Sequence, residues 1–160
     1  MALRITFARA VHPAVSAVLE AHAAHCSDAS PPESRHYLPA AELDTPDITL
    51  WAAWVGEEIA GVGALKALSP EDGEIKSMHT VHEMRRRGVG AAILGKIESE
   101  AARRTYRALW LETGTMPEFA PARALYERHG FTPCPPFGDY FEDPNSVCYT
   151  KTLTQAEAPR

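Results

Sequence analysis

The chain has 160 residues, 45% of them hydrophobic and 23% charged, which suits one compact domain with a full core and argues against disorder. Its formal net charge of −5 argues against non-specific attraction to nucleic acid. No apolar run approaches the ~20 residues that span a bilayer, and Met1-Ala2-Leu3-Arg4-Ile5-Thr6 lacks the apolar segment of a signal peptide. The expectation is a cytoplasmic protein with neither membrane nor nucleic-acid partner. Cys26, Cys134 and Cys148 show no metal-ligand or redox-pair spacing, and the histidines do not pair with carboxylates in a zinc pattern. Reduced, buried thiols and no metal are therefore expected.

In chain order, residues 3–7 alternate apolar and polar like a short strand, and Pro13 opens a helix at its first turn. Residues 27–46 are rich in Pro, Ser and Asp and read as an irregular path with a short helix or two. Residues 48–55 and 59–68 are β-prone runs joined at Gly56, the pattern of a hairpin, and residues 74–81 add a third strand. Val89, Ile93, Ile97 and Ala101 stand four apart, predicting a helix over 87–104. A strand at 108–112, a helix at 120–129 and strands at 131–134 and 147–153 complete an α/β domain with a mixed sheet. The domain is expected to span 1–154, with a frayed tail at 155–160.

The densest chemical signal is Arg85-Arg86-Arg87-Gly88-Val89-Gly90-Ala91, placed between a strand and a helix. Glycines let backbone N–H groups approach a ligand, and the first helical turn leaves donors unpaired at its positive end. Together these suit a phosphate or pyrophosphate. A dinucleotide fingerprint would need a third glycine near the first strand and a later acidic residue, and a Walker A motif would need Gly-Lys-Ser/Thr. Neither is present.

Arg85-x-x-Gly88-x-Gly90-Ala91 resembles motif A of the GNAT N-acetyltransferase superfamily, and Leu125-Tyr126-x-x-x-Gly130-Phe131 resembles its motif B. The likeness covers roughly residues 3–153. Gly73-Glu74-Ile75-Lys76-Ser77-Met78, Leu111-Glu112-Thr113-Gly114 and the segment from Pro136 to Val147 look like a bacterial subgroup of YsnE-like proteins. The resemblance implies a GNAT fold: a single, mostly antiparallel mixed sheet flanked by helices, its central strands splayed. It also implies acetyl-CoA as cosubstrate. Pantetheine would pair with the strand backbone at Met78, His79 and Thr80. The pyrophosphate would lie on Arg85, Arg86, Arg87, Gly88, Val89, Gly90 and Ala91. Two departures stand out: His82 replaces the usual proline after this strand, and Phe119 occupies the neighbourhood of an asparagine often used to contact CoA.

By the same resemblance, Tyr126 would hydrogen-bond the departing CoA sulfur, and a core-aromatic role stays open beside it. Glu74 would act as the base that takes a proton from the acceptor amine. Period-two alternation puts Glu74, Lys76, Met78 and Thr80 on one strand face, so Lys76 either anchors a substrate carboxylate or neutralises Glu74 in an exposed pair. His36, Tyr37 and the loop carrying Phe137 and Tyr140 are candidates for substrate selection, because loops on a rigid scaffold carry specificity. The expected activity is acetylation of a primary amine of a small molecule. Peptide or protein N-terminal acetylation and an idle CoA-binding module are the alternatives, and a homodimer is compatible with all three.

Overall fold

The computed structural model describes residues 2–34 and 40–153. Its strands are β1 (Leu3–Phe7), β2 (Ile48–Val55), β3 (Glu58–Ser69), β4 (Asp72–Thr80), β5 (Ala108–Gly114), β6 (Thr132–Cys134) and β7 (Ser146–Thr152). The helices are α1 (Pro13–Ala29), α2 (Val89–Arg103) and α3 (Ala120–Arg128). Single 3₁₀ turns occur at Pro32–Ser34, Ala40–Leu43, His82–Met84 and Pro117–Phe119. The tail expected at 155–160 lies outside the described residues.

One seven-stranded sheet runs in the order β1-β2-β3-β4-β5-β7-β6. Every neighbouring pair is antiparallel except β4–β5. Alternation in β2 divides its side chains between two cores. Trp51 and Ala53 join Ile93, Leu94 and Ile97 of α2, while Leu50 and Ala52 join Val15, Val18 and Leu19 of α1. Burying each such Leu, Ile or Val contributes about 1.5–3 kcal/mol, so both helices are held by their apolar stripes rather than by intrinsic propensity. Trp51 and Trp54 fall on opposite faces, as the alternation predicts.

The parallel pair is where the sheet opens. β4 and β5 pair only at Asp72↔Ala108, Gly73↔Leu109 and Glu74↔Trp110. The Trp110 indole N–H donates to Asp72 Oδ1 at 3.2 Å and ties this closed end. Beyond it, β4 stays with β3 and β5 stays with β7, so the two part. The bend has a local cause. Between the pairs Ala64↔Lys76 and Val62↔His79, two steps on β3 face three on β4, and Ser77 takes φ 56. That extra residue is a β-bulge, which bends and twists the strand carrying it.

The bulge also corrects the expected alternation. Glu74 and Lys76 share a face, but Met78 packs against the α2 core, and the Thr80 hydroxyl lies 3.8 Å from where a Cβ on Gly90 would stand. His79 turns instead toward α1, against His22. An inserted residue reverses facing for everything after it, and nothing in the residue types of 74–80 announces it.

Candidate active site

The parted strands open into a cavity of about 800 Å³, walled by α1 on one side and by α3 and the start of α2 on the other. Of the expected site residues, Glu74, Lys76, Met78, His79, Thr80, Arg85, Arg86, Gly88, Val89, Gly90, Ala91, Tyr126 and Tyr140 line it. Arg87 is exposed and does not. Phe137 stands behind the wall, its ring 5.4 Å from Trp110 and 5.0 Å from Tyr140. His36 and Tyr37 lie outside the described residues.

At the cationic end, Arg86 and Gly88 adopt φ 65 and φ 82, which turns the chain sharply into α2. The Arg85 N–H donates to His82 O at 3.3 Å, and the next backbone N–H with an acceptor is that of Ala92, to Gly88 O at 3.0 Å. The N–H groups from Arg86 to Ala91 thus have no backbone partner among the described residues. A Cβ on Gly88 would meet nothing within 4 Å, so the space above the turn is clear. Unpaired donors, a helix N-terminus, two lining arginines and open room fit a pyrophosphate. At position 90 a Cβ would stand 3.1 Å from the Leu125 side chain of α3, so glycine lets α2 and α3 approach closely there.

At the other end, near the closed strand pair, three side chains form a knot. Lys76 Nζ donates to Glu74 Oε2 at 3.0 Å and to the Tyr140 hydroxyl at 2.9 Å, and that hydroxyl donates to Glu74 Oε2 at 2.5 Å. The Glu74 and Lys76 side chains are only 5% and 9% exposed, so the pair is buried rather than the exposed strand-end pair. Tyr140 comes from the loop before β7, which Ser34 also tethers by donating to Asp143 Oδ2.

Glu112 is a site residue that the sequence did not mark as one. On β5, Leu109 and Leu111 enter the core at 0% and 1% exposure, so alternation points Glu112 to the cavity face. Its Oε2 accepts from the Ser146 hydroxyl at 2.5 Å. Burial pushes its carboxyl up to about 7, against the pull of the Ser146 bond and of Lys76, with Glu74 and Asp143 adding to the push. The available signal was a glutamate in the apolar run Leu109-Trp110-Leu111-Glu112 of a central strand.

Tyr126 lines the same cavity as Glu112. Its ring packs on Phe131 at 5.9 Å and on Tyr149 at 6.4 Å, and its hydroxyl has no hydrogen-bond partner among the described residues. Burial first, and Glu112 second, raise the phenol well above its ordinary range. α1 contributes His22, His25 and Cys26 to the wall, none of which the sequence marked. Phe119 packs on Gly114, where a Cβ would meet its ring at 2.3 Å, and Arg123 holds that loop by donating to Gly114 O at 2.7 Å. All three cysteines are free thiols, Cys148 buried and Cys26 and Cys134 half-buried.

A sheet splayed at its parallel pair, with unpaired backbone N–H groups at the start of α2 beside the gap, is the arrangement that the GNAT resemblance implies. The match of residues 16–131 to the acetyltransferase (GNAT) family model places this chain in that family. It is 55% identical over 124 residues to a Bacillus subtilis (strain 168) protein named uncharacterized N-acetyltransferase YsnE, covering 78% of this chain and 82% of that one. It is 44% identical over 144 residues to the Escherichia coli (strain K12) protein named uncharacterized N-acetyltransferase YedL, covering 90% and 91%. Among solved structures, a Bacillus subtilis acetyltransferase in complex with CoA superposes with a TM-score of 0.72 at 19% identity, covering 96% of this chain and 100% of that one. A GNAT acetyltransferase from Elizabethkingia anophelis with acetyl-CoA bound gives 0.69 at 19%, covering 94% and 98%. The protein is an acyltransferase of that family. Among the described residues, no helix is long and apolar enough to cross a membrane.

Proposed function

We propose that the protein acetylates a primary amine of a small molecule by direct attack within this cavity, with Glu112 as the base and Tyr126 beside the leaving sulfur. Acetyl-CoA supplies the acetyl group as a thioester. The N–H groups of residues 86–91, with Arg85 and Arg86, hold its pyrophosphate, and the free edge of β4 at Met78, His79 and Thr80 pairs with its pantetheine. The amine arrives as an ammonium and gives up two protons. Glu112 takes the first, freeing the nitrogen lone pair to form the new C–N bond as the C–S bond breaks. The second ends on the departing sulfur. The Tyr126 hydroxyl donates a hydrogen bond there. Its raised pKa makes it a poor source of the proton itself and a steady donor to a thiolate.

The observation that carries this reading is Glu112: a carboxyl that lines the cavity together with Tyr126 and that burial pushes up to about 7. Glu74, expected as the base, has one oxygen already occupied by Lys76 and Tyr140, which favours a role shaping the acceptor end. Lys76 keeps a further N–H for a substrate oxygen. The Ser34–Asp143 bond joins the chain after α1 to the loop before β7, and so favours a closed pocket over a peptide groove.

The test is thiol release from acetyl-CoA across a panel of amino acids, small amines and short peptides. Turnover with free amines and none with peptides supports the reading. Turnover with peptides alone replaces it with N-terminal acetylation. CoA binding without turnover on any amine replaces it with a binding module.

A further inference from the structure

The α1 wall brings three groups into a chain with β4. His22 Nδ1 lies 3.2 Å from His79 Nδ1, and His22 Nε2 lies 3.6 Å from Cys26 Sγ. The two imidazoles meet edge to face, centroids 5.2 Å apart. Only one proton fits between two nitrogens in contact, so one ring donates and the other accepts. Both rings are neutral at working pH, because burial, first among the causes, lowers His22 to about 3 and His79 to about 4. The thiol stays protonated, since burial and the Glu112 charge push it up to about 11.

We infer that the Cys26–His22–His79 chain is a positioning device, which fixes His79 with its proton on Nε2 and presents that N–H to a carbonyl of the pantetheine arm. The direction follows from Cys26. An S–H has a lone-pair acceptor in imidazole nitrogen, whereas sulfur accepts poorly from N–H. Cys26 therefore donates to His22 Nε2, His22 carries its proton on Nδ1 and donates to His79 Nδ1, and the proton of His79 is left on Nε2. That atom has no protein partner among the described residues, and His79 lines the cavity one residue past Met78, on the free edge of β4. Amides of pantetheine offer acceptors along that edge, a contact that rests on the cosubstrate lying there as proposed above. Cys26 and His22 act through His79 and touch no reacting atom.

The experiment is ¹⁵N-edited long-range NMR of the imidazoles in the free protein and during titration with CoA, beside steady-state kinetics. Expected in the free protein are Nδ1–H for His22 and Nε2–H for His79. CoA should then shift the His79 Nε2–H resonance. His22→Leu should raise KM for acetyl-CoA about tenfold with kcat within twofold, and His22→Asn, whose amide reaches the Nδ1 position, should recover most of it. Cys26→Ala, a change too small to unfold the chain, should leave mixed tautomers at both rings, and Cys26→Ser should restore one. The reverse tautomers in the free protein would overturn the direction of the chain. CoA shifts at Gly88 and Gly90 with none at His79 would overturn the pantetheine contact alone. No CoA shift at Gly88, Gly90 or His79 would instead overturn the cosubstrate placement, leaving the tautomer result to stand by itself.

Discussion

Replacing Glu112 by Gln keeps the shape and the Ser146 contact while removing the base. The burial-raised carboxyl titrates near 7, so wild-type kcat/KM should rise through about pH 7 and then level. An alkylamine acceptor titrates near 10, as lysine does, so without a base its neutral fraction grows tenfold per pH unit up to that point. The gap of about three units sets the deficit at pH 7 to about 10³, or about 4 kcal/mol of transition-state stabilisation, shrinking to near nothing at about pH 10. Thiol release followed from pH 6 to 10 with a good acceptor measures both profiles. Glu74→Gln should keep the wild-type limb but move it to lower pH, because the Glu74 charge is among the influences holding the Glu112 carboxyl up. A Glu112→Gln profile parallel to wild type would refute the base assignment. So would loss of the limb in Glu74→Gln alone.

Gly88→Glu places a carboxylate in the clear space over the turn at a residue with φ 82. CoA affinity by calorimetry should fall at least ~100-fold, whereas Gly88→Ala should lose stability by about 1 kcal/mol from the positive φ and keep most of its affinity. Tyr126→Phe should lower kcat by about 10² with acetyl-CoA affinity unchanged. Its melting temperature should also stay put, because the hydroxyl has no protein partner among the described residues to lose. Lys76→Met leaves Glu74 buried without its cation, and denaturant unfolding should show a loss of about 3 kcal/mol.

The pattern of apolar residues by itself determined the elements of this protein. Four-apart spacing in α2 and alternation in β2 are consequences of helix and strand periods, and both survive into the two cores. The turn into α2 was equally legible, since Gly88 takes the positive φ at the helix start that glycine favours. The bulge at Ser77 was not, because it is settled by how β4 matches the length of β3, a relation between segments rather than a property of either. It sent Met78 and Thr80 to the face opposite Glu74 and opened the gap that makes the site. Glu112 carried in sequence only the mark of a glutamate in an apolar run, and its raised carboxyl comes from burial in the folded protein, since proton affinity depends on three-dimensional surroundings. His22 and Cys26 stand four apart on α1, but His79 joins them through a contact between α1 and β4 across 57 positions of chain, which only the folded packing makes.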